Sequence, residues 1–424
     1  MTQSPDPRLR PFFVIWTGQA ISLVGSYAVQ FALIWWVTLE TESASMVAVA
    51  GLLGLAPAVL LGPLLGTLVD RSNRKSLMLL ADGIVAAASA VLALAFAMGD
   101  VRLSWVFAAL LVRGLGTATH QPAMTASTSL MVPEEHLTRI QGLNQALQGG
   151  LAIIGAPLGA LLVATLSMSS VMWVDVLSAL VAIVPLLFVR VPQPERSGDP
   201  EAGFLADTRA GFGYLLQNPG MLVLVALMSW VNLLLAPAFS LLPLFVKQDL
   251  NGGVLMLGGL QSTMGIGLIA GGIALGVWGG FRSKIFTALS GLIGLGGAVA
   301  LLGIVPASAP ILAFASMALV GVTVTVINGP LMALMQAVVP ADFQGRVFAL
   351  WGSIAAGMAP LGLAVAGPVA EFTGIRAMYL AGGAVCVVVA MIALAAPVVR
   401  GVESNAETGK GKAAPSETAM GSSA

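Results

Sequence analysis

The chain has 424 residues, of which 58% are hydrophobic and 9% charged, with 19 basic and 19 acidic side chains. So little polar surface excludes a water-soluble globule, and the neutral balance gives no sign of a nucleic-acid-binding face. One cysteine and two histidines exclude a disulfide framework and leave no ligand cluster that calls for a metal or other cofactor.

Apolar runs of about 20 residues, the length that crosses roughly 30 Å of hydrocarbon, recur twelve times. They fall near 11–38, 46–69, 76–98, 103–131, 140–165, 169–190, 220–246, 253–279, 284–305, 309–338, 347–369 and 376–398. The runs are continuously apolar and do not alternate, which predicts helices and not barrel strands. Met1–Arg10 is polar and leads into the first run with no small-residue cleavage site, so that run is predicted to be a first membrane helix and not a signal peptide. The expected fold is an all-α integral membrane protein of twelve transmembrane helices. Its 50 glycines are expected mainly to let helices approach closely.

Val132-Pro133 with Arg139 recurs as Val339-Pro340 with Arg346, nearly half the chain later. Such internal repeats are how secondary transporters are built. The expected organisation is therefore two pseudo-symmetric six-helix bundles at 1–190 and 220–400. A Pro- and charge-rich cytoplasmic linker at 191–219 joins them, and a disordered tail follows at 401–424. Of the 19 Lys and Arg, Arg113 lies within a span and Arg102, Lys247 and Arg376 fall in the loops on one side; the other fifteen fall on the other side. The positive-inside rule makes that second side, with both termini, cytoplasmic.

In span 1, Gln19, Ser22, Ser26 and Gln30 share one helix face. A polar stripe on a spanning helix turns away from lipid, so this face is expected to line a cavity, with Asn232, Gln261 and Asn328 as candidates opposite it. Helix–helix hydrogen bonding is the competing reading for each. Between spans 2 and 3, Gly66-Thr67-Leu68-Val69-Asp70-Arg71-Ser72-Asn73-Arg74-Lys75 places an acid and three bases in a tight turn. It reads either as a basic loop or as a conformational latch in which Asp70 pairs with Arg71 and Arg74 at a helix end. The corresponding turn, Gly276 to Lys284, has Gly280 where Asp70 stands, so an acid placed at Gly280 is expected to do little.

Asp82 in span 3 sits about two turns from the cytoplasm, and the default expectation is that it contacts the basic loop. Arg113 in span 4 and Asp175 in span 6 lie about ten and seven residues from the outer ends of their helices. Counted along the helical rise, both reach similar depth, so they are able to pair. His120 is the only histidine within a span, readable as a packing residue or as a proton carrier. Arg113, His120, Asp175 and Asp82 are the coupling candidates. Gly155, Pro157 and Gly159 in span 5, echoed by Pro360 in span 11, predict paired helix bends.

The Gly66–Lys75 loop and the Gly155–Ala160 stretch resemble signatures of the major facilitator superfamily. Beyond them, Gln30 to Val37, His120-Gln121-Pro122-Ala123, Trp173 to Ser178, Pro243 to Val246 and Gly345-Arg346-Val347-Phe348 resemble its macrolide-efflux and siderophore-exporter branch. The resemblance implies a monomeric secondary transporter of the cytoplasmic membrane that exports a small molecule by alternating access and proton antiport. A drug-like amphiphile is the first substrate class, with an endogenous metabolite, a siderophore or nutrient uptake as alternatives. A membrane enzyme would need a nucleophile with a base or a metal cluster, and a sensor would need a soluble domain; the sequence offers neither.

Overall fold

The computed structural model describes residues 9–193, 212, 213, 215–339 and 341–397. Most of the 191–219 linker and the 401–424 tail lie outside the described residues, as do the side chains of Gly66, Asp70 and Arg71 within their helix.

The described chain is helical throughout: α1 (Arg10–Thr41), α2 (Ala44–Arg71), α3 (Arg74–Met98), α4 (Leu103–Met131), α5 (Glu134–Thr165), α6 (Met168–Phe188), α7 (Pro219–Ser240), α8 (Leu242–Gln248), α9 (Val254–Trp278), α10 (Lys284–Ile304), α11 (Pro310–Val338), α12 (Ala341–Thr373) and α13 (Ile375–Ala395). Eleven of these are long and apolar enough to cross a bilayer. Besides the short α8, the remaining one is α4, a 29-residue helix whose apolar character is diluted by Arg113, His120 and Gln121. Expected span 7 is divided into α7 and α8. The helix breaks at Leu241, just before Pro243, which has no N–H to continue the ladder.

Short polar residues start the helices. Asn73 Oδ1 accepts from Ser76 N at 3.1 Å ahead of α3, and Ser283 Oγ accepts from Phe286 N at 3.1 Å ahead of α10. The two caps hold corresponding places in the two halves. Leu103 and Pro310 open α4 and α11, and Met168 and Ile375 open α6 and α13. Both pairs are separated by the same offset as the two Val-Pro loops. The duplication read from one loop thus extends to the helices.

The chain divides into two compact units, one holding residues 1–198 and 240–262, the other 199–239 and 263–424. In the first, α3 packs against α4 and α6, α1 against α5 and α6, and α2 against α4. In the second, α10 packs against α11 and α13, the counterparts of α4 and α6. Glycine permits the closest approaches. A Cβ on Gly114 would lie 2.8 Å from Gly54 O, and one on Gly321 would overlap Met264 O. Gly114 and Gly321 are again related by the offset of the repeat.

Candidate functional site

The first unit contains a buried polar centre on two levels. On the upper level Arg113 Nη1 is ion-paired with Asp175 Oδ2, and its Nη2 donates to Ser26 O at 2.8 Å. Ser89 Oγ donates to Asp175 Oδ2 at 2.6 Å, and Ser26 Oγ to Oδ1 at 3.1 Å. Asp175 is 1% exposed and Arg113 6%. At that burial the desolvation penalty is met only by a pair whose remaining lone pairs are also satisfied. The two serines do this for the carboxylate, bringing α1 and α3 into a cluster otherwise made by α4 and α6, while Arg113 Nε is left without a partner.

On the lower level Gln19 Nε2 donates to Asp82 Oδ2 at 2.9 Å. His120 Nε2 stands 3.6 Å from Asp82 Oδ1 and, although buried, has no hydrogen-bond partner. The levels are related by one rule. Ser26 and Gln19 on α1, Ser89 and Asp82 on α3, and Arg113 and His120 on α4 each stand two helical turns apart. Each helix therefore presents both residues on one face, about 10 Å apart along its axis.

A cavity of about 340 Å³ runs beside both levels, lined by the polar Gln19, Ser26, Gln30, Asp82, Arg113 and His120 interspersed with the apolar Leu23, Ile34, Leu55 and Val85. Close packing holds the polar faces toward it. Gly114 lets α4 lie on α2, a Cβ on Gly116 would reach Val85 Cγ2 at 2.5 Å, and Gly54 leaves room for the Gln30 amide. A second cavity of about 190 Å³ shares Gln19, His120 and Gln121 with the first. It continues to Gln141, Asn144, Gln145 and Gln148 on α5, where Trp16 Nε1 donates to Asn144 Oδ1 at 2.7 Å.

Sequence expectations fare unevenly against this geometry. Arg113 and Asp175 meet, and Gln19, Ser26 and Gln30 line one cavity. Asp82 does not turn to the basic loop as expected. Its side chain points across to Gln19 and His120, because the face of α3 that carries it also carries Ser89 and is turned inward. Asn232 and Asn328 each give one N–H to their own helix, Asn232 Nδ2 to Met228 O at 2.9 Å and Asn328 Nδ2 to Val324 O at 3.0 Å. Neither they nor the half-buried Gln261 line this cavity.

In the basic loop, Arg74 Nη1 donates to Ala126 O of α4 at 2.7 Å. Lys75 Nζ donates to Leu187 O and Val189 O, at 2.8 and 2.9 Å, at the C-terminus of α6. Cations at a helix C-terminus satisfy its unpaired carbonyls. The corresponding turn in the second unit carries an aromatic cluster. Trp278, Phe281 and Phe286 stack edge to face at 4.7 and 4.9 Å. Gly280 has φ +80° and a Cβ there would press on Thr287, so an aspartate at this position is strained and not neutral.

Gly159 packs α5 on α1, where a Cβ would lie 2.8 Å from Ala28 O, and Gly155 lies against Tyr27. Pro157 and Pro360 sit inside α5 and α12. Two residues missed from the sequence, Ser89 and Asn144, complete the polar centre. The two-turn spacing that recurs on three helices was the signal for Ser89.

Repeated membrane-spanning helices, with a buried polar cavity inside the first unit, are the make-up of a transporter. Residues 15–362 match the Major Facilitator Superfamily model, and the chain belongs to that family. It is 32% identical over 382 residues to Macrolide efflux protein A of Streptococcus pyogenes, covering 90% of this chain and 94% of that one. To the Enterococcus faecalis protein of the same name it is 32% identical over 320 residues, covering 75% and 99%. To the multidrug efflux pump Tap of Mycolicibacterium fortuitum it is 30% identical over 373 residues, covering 84% and 88%. Among solved structures, the nucleoside transporter NupG aligns with a TM-score of 0.70 at 15% identity, over 92% of this chain and 99% of that one. A bacterial homologue of the iron transporter ferroportin aligns at 0.67, also at 15%, over 92% and 99%. These last two likenesses establish the fold alone.

Proposed function

We propose that this transporter exports an amphipathic small molecule of macrolide or drug type across the cytoplasmic membrane, by alternating access and in exchange for protons. It works as a monomer with both termini in the cytoplasm. The observation that carries this reading is the near full-length relatedness to proteins named for efflux. The cavity supports it, since Leu23, Ile34, Leu55 and Val85 line it together with Gln19, Gln30 and Asp82, a combination suited to a ligand with apolar and polar parts. Asp82, His120 and Asp175 are the groups able to carry the coupling proton, and Arg113, the partner of Asp175, is the fixed charge coupled to them. Gly66, Asp70, Arg71 and Arg74 form the latch of the cytoplasmic side, and Gly155, Pro157, Gly159 and Pro360 mark the bends about which the halves rock.

The test is expression in a host lacking its main efflux pumps. Resistance to macrolides is expected to rise several-fold and accumulation to fall, with a protonophore restoring accumulation. Unchanged susceptibility and accumulation across a drug panel would overturn export of drugs. Efflux that survives collapse of both the pH gradient and the membrane potential would overturn proton coupling.

A further inference from the structure

The second cavity differs from the first in what lines it. Six carboxamides, those of Gln19, Gln121, Gln141, Asn144, Gln145 and Gln148, share its wall with Thr125, Thr128 and Trp16. No lining side chain carries a fixed charge, and His120 is the one titratable group. Five of the chain's thirteen glutamines are therefore gathered at one place.

Helical register puts them there. Gln141, Asn144, Gln145 and Gln148 fall at i, i+3, i+4 and i+7 of α5, and Gln121, Thr125 and Thr128 at i, i+4 and i+7 of α4, so each helix turns one polar face to the same space. The frame does not require these amides. At the repeat offset that relates α5 to α12, the four α5 positions hold Phe348, Trp351, Gly352 and Ala355, with no amide at any of them. Nor does packing consume them. Among the described residues, the side chains of Gln121, Gln141, Gln145 and Gln148 hold no hydrogen bond. Thr125 Oγ1 and Thr128 Oγ1 donate to Gln121 O and Met124 O of their own helix, at 3.0 and 2.9 Å, which leaves their lone pairs to the cavity. The bond from Trp16 Nε1 to Asn144 Oδ1 fixes the indole at the wall and leaves the Asn144 N–H groups as donors.

A carboxamide is uncharged and carries two N–H donors beside a carbonyl acceptor. An ion taken from water would need a counter-charge that this wall does not offer, and an apolar group would strand the amides it covers. The complement is a neutral group that gives and takes hydrogen bonds at neighbouring atoms. A sugar ring does so through its hydroxyls, and its C–H face suits the indole of Trp16. The first cavity shares Gln19, His120 and Gln121 with the second but adds the apolar Ile34, Leu55 and Val85.

We propose that the second cavity is a sugar subsite, and that the preferred substrate is a glycoside whose apolar aglycone lies in the first cavity while its neutral sugar hydrogen-bonds the amides of α4 and α5. This inference rests on the proposed export function and names its substrate class. The sugar lies toward the end of the unit at which α4 stops and α5 starts.

The probes are erythromycin A and its descladinosyl derivative, which share the macrolactone ring and the amino sugar and differ by one neutral sugar. Their binding is measured on the full-length protein in lipid nanodiscs. The native chain is expected to bind erythromycin A about tenfold or more tightly than the derivative. Gln145→Met and Gln148→Met conserve side-chain length at exposed positions. Each should weaken erythromycin A about two- to tenfold and leave the derivative unchanged, and retained binding of the derivative shows that the variant is folded. Equal affinity of the native chain for the two probes, variants that weaken both probes alike, variants that weaken neither, or no binding of erythromycin A would each overturn the inference. Drug accumulation in cells decides the export reading separately. Export with no preference for the added sugar sinks the subsite alone, and glycoside binding without lowered accumulation sinks export alone.

Discussion

The two units share helix order and glycine contacts but not chemistry. Carrying the helix offsets across, Arg113, Asp175, Ser89 and Ser26 correspond to Val320, Gly382, Val299 and Leu235, while His120, Asp82 and Gln19 correspond to Ile327, Leu292 and Met228. The six apolar side chains among these are all buried. Every polar group of the first centre has thus become a dry packing group or a glycine in the second. The contrast teaches that the backbone frame does not depend on the ion pair, because the same α4-type and α6-type helices dock on α10 without it. The polar centre lines the cavity of the first unit, and the counterparts of its members in the second unit are buried apolar side chains and one glycine.

The largest break in that comparison comes from the ion pair. Arg113→Ala and Asp175→Ala each strand a buried charge, costing about 3–5 kcal/mol, and should sharply lower the yield of monodisperse protein. The double substitution should recover part of it, and purely additive losses would dissolve the upper level as a unit. At the corresponding Val320, Ala should cost only the smaller amount usual for a core truncation, about 0.5–3 kcal/mol.

The shared frame is tested next. Gly114→Ala and Gly321→Ala insert a methyl against the backbone of α2 and of α9, and each should lose about 1–3 kcal/mol of thermal stability. A silent Gly321→Ala with a damaging Gly114→Ala would break the equivalence. Smaller still is Gly280→Asp, where a left-handed backbone costs a non-glycine residue about 1–2 kcal/mol; an unchanged melting temperature would return that position to the neutral role first expected of it. The smallest effect belongs to Lys75→Gln. Losing two exposed-edge contacts to the end of α6 should cost below about 1 kcal/mol, read by the same thermal scan.

What was legible in the sequence was depth. Residue counts from helix ends set Arg113 and Asp175 at one level, and the spacing of the Val-Pro repeat nearly matches that of four helix pairs. What was not legible was azimuth, the rotation of each helix about its axis. Asp82 has the right depth to meet the basic loop, but the face of α3 it shares with Ser89 is turned inward by packing of α3 on α4 and α6. Asn232 and Asn328 stand out because amides are scarce in spans, and each gives one N–H to a carbonyl one turn back on its own helix, a bond the sequence does not reveal. Gly280 read as a missing acid because sequence carries no φ.

The most direct test of a wet first unit and a dry second one is pH-gradient-driven transport in two repeat-related variants reconstituted at equal protein. His120→Ile installs the residue the second unit already has and should abolish the response to the pH gradient while leaving folded yield near normal. Ile327→Ala should lower yield through lost packing but leave the gradient response of the remaining folded protein intact. A pH-gradient response that persists in His120→Ile, or that vanishes in Ile327→Ala, would contradict the account.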